Sequence, residues 1–139
     1  MINKILVPID GSRNSEKGLR YACELANRLG ASITVIHIIS IPYTGESAIF
    51  HIKPLEDAGK MILEQARNLL KDIKCSGTHL VLREGSGNPG HEIVKFAKDE
   101  NVSLIVMSAK GHSALAHLLL GSVSDMVSKY APCPILIVK

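Results

Sequence analysis

Apolar and polar positions fall into a repeating pattern along the chain. Short, nearly continuous apolar runs alternate with longer stretches in which apolar residues recur every three or four positions. The first run, Lys4–Ile9, ends in Asp10-Gly11-Ser12, which reads as a strand followed by a turn and a helix cap. A helix is predicted from about Ser12 to Leu29, with Leu19, Ala22, Cys23, Ala26 and Leu29 on one buried stripe. Gly30 stands where a left-handed residue commonly closes a helix. Ser32–Ile39 is apolar at nearly every position, as in a strand covered on both faces. Ser40–Pro54 contains Pro42, Gly45 and Pro54 without a clean period and reads as a loop. A second helix is predicted over Leu55–Lys74, its apolar face Leu55, Ala58, Ile62, Ala66, Leu69 and Ile73. Then follow a strand at Thr78–Leu82, a turn at Glu84–Gly90 and a helix at His91–Glu100 with Ile93, Val94 and Ala97 inward. A strand at Val102–Met107, a helix at Ser122–Tyr130 and a last strand at Pro134–Val138 complete the pattern.

Apolar strands separated by amphipathic helices predict an α/β fold, a parallel sheet with helices on both faces. A length of 139 residues suits one domain over 1–139, and no linker, repeat or low-complexity tract divides it. The balance of 46% hydrophobic to 21% charged residues is that of a globular chain. Trp is absent and aromatics make up only 4%, so the core must come from Val, Ile, Leu and Ala. The first apolar stretch is short and runs into Asp10, unlike a secretory signal, and no run nears the roughly 18 apolar residues that cross a membrane. Cys23, Cys75 and Cys133 are odd in number and far apart, which predicts reduced, mostly buried thiols in a cytoplasmic protein. A formal charge of +3 without long Lys/Arg runs argues against nucleic-acid binding but suits a local anion site.

In open parallel sheets, ligands bind beyond the carboxyl ends of strands, where strand order reverses. The strand ends here offer Pro8-Ile9-Asp10-Gly11-Ser12, then His37-Ile38-Ile39, then Met107-Ser108-Ala109-Lys110-Gly111-His112 followed by Gly121-Ser122-Val123-Ser124. Gly111 lets backbone approach an anion, and Gly121-Ser122 opens a helix whose first N–H groups lack partners. Ser122 and Ser124 add hydroxyls, and Lys110, His112 and His117 add charge, so the segment can cradle phosphates. Each piece also has a plain reading: Gly111 as a turn, Ser122 as an N-cap, Asp10 as a cap of the first helix or a partner for a ribose hydroxyl. The dinucleotide fingerprint, the P-loop, zinc spacings and the Gly-x-Ser-x-Gly elbow are all missing. His37 reads as a satisfied core imidazole, His91 as a helix-start residue, and the methionines as core filler.

With these residues in view, the chain resembles the universal stress protein family from end to end. Nucleotide-binding members carry Gly-x2-Gly-x9-Gly-(Ser/Thr) after the fourth strand. Here Gly111, Gly121 and Ser122 fit in register, and Ser108 stands at the first glycine. Lys4–Ser12 looks like the family's opening strand and Ala131–Val138 like its closing one. The resemblance implies a single-domain five-stranded sheet of order 3-2-1-4-5, of the adenine nucleotide alpha hydrolase-like kind, with Asp10 and Ser108 facing each other across the crevice. It implies that Pro8, Ile9 and Asp10 line the nucleoside side, that Ile38 offers backbone to the adenine edge, and that Met107 and Ser108 touch base and ribose. Gly111, His112, Gly121, Ser122, Val123 and Ser124 then surround the phosphates. At Ser108, a Cβ and hydroxyl either crowd the ribose or donate to it, with weakened rather than lost binding expected. The implied ligand is ATP, ADP or AMP, with magnesium held largely by phosphate and water. The implied protein is a nucleotide-dependent switch or regulatory homodimer joined through Pro134–Val138. The alternatives are a slow ATPase or a protein self-phosphorylating at Ser122 or Ser124, and a nucleotide-free interaction module.

Overall fold

The computed structural model describes residues 1–41, 46–109 and 121–139, with residues 46–51 as helix backbone only. The elements run β1 (Lys4–Pro8), α1 (Arg13–Leu29), β2 (Ser32–Ser40), α2 (Glu46–Asp72), β3 (Thr78–Gly85), α3 (Gly90–Asp99), β4 (Leu104–Ser108), α4 (Ser122–Tyr130) and β5 (Ile135–Val138). The strands form one sheet of order β3-β2-β1-β4-β5, and every neighbouring pair is parallel. The chain winds outward from β1 to β3, then crosses back to lay β4 on the other side of β1, with Ile5 beside Leu104. The connections leaving β1 and β4 therefore diverge, and a crevice opens beyond their carboxyl ends.

The uninterrupted apolar runs are explained by burial on both faces. Ile5, Val7, Ile33, Val35 and Val106 pack with Leu19, Ala22, Cys23 and Ala26 of α1 and Ala66 and Leu70 of α2. The alternate residues Leu6, Ile36, Ile38, Ile105 and Met107 pack with Ile93 and Ala97 of α3 and Val127 of α4. Fully burying one such side chain contributes about 1.5–3 kcal/mol, which is what a polar residue at these positions would forfeit. Ser12 caps α1 by accepting the Ser15 N–H. Gly30 closes the helix at φ 68°, its N–H donating to the Ala26 carbonyl, a conformation that favours a residue without Cβ.

The structure departs from the expected pattern in several places. Glu46–Pro54 belongs to α2 and not to a loop, with Pro54 inside the helix. Proline's fixed φ is itself helical, and what it forfeits is the bond to the carbonyl four residues back. The buried stripe of α2 is Gly59, Leu63, Ala66 and Leu70, while Ala58 is exposed. Gly59 sets that rotation, because a Cβ there would lie 2.8 Å from Leu82 Cδ1 and 3.2 Å from His37 Cδ2; a glycine is invisible to a hydropathy count. Strand β3 continues through Arg83 and Glu84 to Gly85, pairing with Ile38, Ile39 and Ser40. It is an edge strand, so polar side chains cost it little. Leu29 is 51% exposed and Met61 is 64% exposed, so neither fills the core, although Met107 does at 5%. Of the free cysteines only Cys23 is buried, with Cys75 and Cys133 half-buried.

Candidate functional site

A single cleft beyond β1 and β4 gathers Pro8, Ile9, Asp10, Ile38, Met107, Ser108, Gly121, Ser122, Val123 and Ser124. Its cavity volume is about 180 Å³. A water needs about 10–15 Å³ on that scale, so the cleft has room for a small organic molecule. A second cavity between α1 and α2, of about 20 Å³, holds little more than a water. The predicted phosphate residues Gly111 and His112, with Lys110 and His117 beside them, lie outside the described residues.

The wall from β1 is ordered by its own turn. Gly11 has φ +85°, a backbone shape that side chains resist. Asp10 Oδ1 accepts the Ser12 N–H at 2.9 Å, and Ser15 Oγ donates to the Ser12 carbonyl at 2.7 Å. Asp10 therefore orders the approach to α1 while Ser12 supplies the cap, and Asp10 also lines the cleft. Burial pushes the Asp10 carboxyl up, but hydrogen bonds from the Ser12 side chain and backbone, from its own N–H and from the Ser15 hydroxyl outweigh burial and hold it below its ordinary value. It is a carboxylate at neutral pH.

His37 is half-buried and lines the cleft. Its Nδ1 lies 2.8 Å from the Ile9 carbonyl; a carbonyl only accepts, so Nδ1 carries the proton. The imidazole is satisfied, as expected, yet it also braces the β1 end that lines the cleft. The end of β4 is tied on both sides. Asn14 Nδ2 donates to the Ala109 carbonyl at 3.3 Å, and the Ala109 N–H donates to the Val138 carbonyl at 2.8 Å. Met107 is 5% exposed and forms apolar floor. The Ser108 side chain does not project freely into the cleft: its Oγ accepts the Gly18 N–H of α1 at 3.1 Å.

The opposite wall is the start of α4. Gly121 is the N-cap, with φ −64° and ψ 163°, and among the described residues no side-chain cap hydrogen bond is made to the helix. Ser122, Val123 and Ser124 make the first turn, and Ser124 is 5% exposed. Their N–H groups have no intrahelical carbonyl to reach and sum to a partial positive charge. Ser122 is thus the first helical residue and not the cap. Asn88 holds this wall, donating from Nδ2 to the Ser122 carbonyl at 3.2 Å and accepting the Gly90 N–H on Oδ1 at 2.8 Å.

The sequence reading missed Ser15, Ile36, His37, Pro89, Ile93 and Ala109, all of which line the cleft. Pro89 reads from the sequence as turn chemistry and Ile36, His37 and Ile93 as core, while Ala109 lies in the strand-end segment without a role of its own and Ser15 carries no signal. The signal that could have found Pro89 is its place after β3, whose carboxyl end points the same way as those of β1 and β4. Among the described residues, no group of three or more His, Cys, Asp or Glu side chains could hold a metal ion.

A doubly wound parallel sheet with a cleft at its switch point defines an α/β protein of the class whose ligand sites lie beyond the carboxyl ends of the strands. The comparisons with known proteins agree. The pattern of the Universal stress protein family matches residues 1–139, and the chain belongs to that family. It is 36% identical to the universal stress protein YxiE of Bacillus subtilis over an alignment of 151 positions, covering 100% of both chains. The solved structure of the universal stress protein UspA from Lactobacillus plantarum superposes with a TM-score of 0.80 at 25% identity, covering 99% of this chain and 97% of that one. A universal stress protein from Archaeoglobus fulgidus, solved in complex with dAMP, has the same fold at a TM-score of 0.72 and 22% identity, covering 100% and 98% of the two chains. Among the described residues, no helix is long and apolar enough to cross a membrane.

Proposed function

We propose that the protein binds an adenine nucleotide, ATP, ADP or AMP, in the cleft between β1 and β4 and acts as a nucleotide-dependent switch. The carrying observation is the first turn of α4. Among the described residues no side chain caps its amides, and it lines the same cleft as Asp10. Amides presented this way suit phosphate oxygens, and a carboxylate suits ribose hydroxyls. Pro8, Ile9 and Met107 give the base an apolar slot, and the backbone of Ile38 at the end of β2 can meet its hydrogen-bonding edge. Gly121, Ser122, Val123 and Ser124 take the phosphates, joined in this reading by Gly111 and His112. Magnesium, if bound, rides on phosphate oxygens and water. That a universal stress protein of the same fold was solved with dAMP supports the reading.

The output belongs to the same proposal. β5 is a sheet edge with Leu136 36% exposed, and an unpaired apolar edge favours pairing with a second copy. Nucleotide occupancy next to β4, which pairs with β5, then has a short route to the dimer contact. Titration calorimetry with ATP, ADP and AMP, with and without magnesium, tests the binding. Heat of binding at micromolar to millimolar nucleotide is expected, and its absence at millimolar concentration overturns the proposal. Sedimentation with and without nucleotide tests the dimer.

A further inference from the structure

Position 108 is where this chain departs from the glycine-rich motif, and the structure ties that departure to a second residue far away in sequence. Gly18 is buried in the middle of α1. Among interior helix residues only proline is less favoured than glycine. Gly18 is not in the left-handed conformation that would call for glycine, since no positive φ is recorded there. What its missing side chain leaves is space: a Cβ on Gly18 would lie 2.7 Å from Ser108 Oγ, while the next atoms, Ser108 N and Met107 C, would lie at 3.7 and 3.9 Å. Only the hydroxyl forbids a side chain there, and that hydroxyl accepts the Gly18 N–H.

We propose that Gly18 is a positioning residue for the nucleotide cleft, reached through Ser108. It opens a notch in α1 that holds the serine hydroxyl behind the strand end, so that a serine replaces glycine at the cleft floor without crowding the ligand. This inference rests on the nucleotide reading above. A serine side chain has three staggered positions. With the notch filled the hydroxyl must leave α1, and because Ser108 lines the cleft, the room it takes is the ligand's. The hydroxyl oxygen accepts at α1, which holds it back from crowding the ribose, while its own O–H remains available to donate.

The test measures AMP and ATP affinity by calorimetry, and thermal stability, for the wild type, Gly18→Ala, Ser108→Gly and the double variant. Gly18→Ala is expected to lower Tm and to weaken nucleotide binding on the order of tenfold, the scale of coupling between contacting residues. Ser108→Gly added to Gly18→Ala is expected to restore both. Gly18→Ala that lowers Tm but leaves affinity untouched makes Gly18 a packing residue only and overturns the proposal, as does a double variant no better than the single. If Gly18→Ala fails to fold while the double variant folds, the pairing is upheld and the double variant's affinity decides the rest. If the wild type binds no nucleotide, the nucleotide reading falls with the steering claim. The Tm cycle still judges the pairing: additive changes overturn it, and rescue sustains it.

Discussion

Helices α1 and α4 leave neighbouring strands at the same end of the sheet, yet their first turns are finished in different ways. At α1 every feature closes the turn on itself: Ser12 Oγ accepts the Ser15 N–H, Ser15 Oγ returns to the Ser12 carbonyl, and Asp10 Oδ1 takes the Ser12 N–H. At α4 the cap is Gly121, which offers no side chain, and Asn88 binds a carbonyl of the turn rather than one of its amides. The closed turn is complete as folded. In the proposed reading the open one keeps its donors for the nucleotide, and it lines the cleft that the closed one helps to wall. A site of this kind needs both: one helix start that holds still and another that is left unfinished.

Changing one turn into the other gives the largest expected effect. Gly121→Asp places a carboxylate at the α4 cap. The backbone there is extended rather than left-handed, so the residue fits, and stability changes by only a few tenths of a kcal/mol. Nucleotide affinity is expected to fall by about 100-fold or more, because an amide is occupied and a like charge meets the phosphate. Unchanged calorimetric affinity would break the contrast between the two helices. Next comes Ser122→Pro. Proline at the first helical position keeps the helix but deletes one N–H, and the expected loss is about tenfold in affinity with little change in Tm. A variant that melts many degrees lower would show instead that this amide serves the fold.

On the closed side the effects are on stability and are smaller. Ser12→Ala removes the α1 cap and is expected to cost about 1 kcal/mol, read from the midpoint of a urea titration with an unchanged slope. The smallest effect is acid sensitivity. Asp10 is held below its ordinary value of 3.8 in the folded protein, so the unfolded chain takes up its proton first as pH falls. The stabilisation from Asp10 is full above the unfolded value and disappears as pH drops through the lowered folded one. Asp10→Asn is expected to flatten the fall of stability below about pH 4, measured by thermal melts at stepped pH.

The α/β class, the β1, α1 and α4 boundaries and the glycine that ends α1 were legible because they rest on local chemistry: apolar period, cap residues and backbone conformation. The strand order came from the family resemblance, and the structure reproduces it. Most of the cleft residues could be named because they sit at strand ends and at one helix start, places that order along the chain already marks. His37 was named at a strand end but read as core, and Pro89 was read as part of a turn, since each lines the cleft by the position of an element distant in sequence. The stripe of α2 was displaced because Gly59 carries no hydropathy, though it sets how closely the helix lies on Leu82 and His37.

Periodicity, caps and glycines therefore decide which segments are strands and helices and which of their ends can carry chemistry, because those preferences act over a few residues. Which way a side chain turns at such an end is a matter of what stands behind it. The hydroxyl of Ser108 meets α1 rather than the open cleft because the fold brings residue 18 within hydrogen-bond reach of residue 108. No pattern along the chain contains that distance.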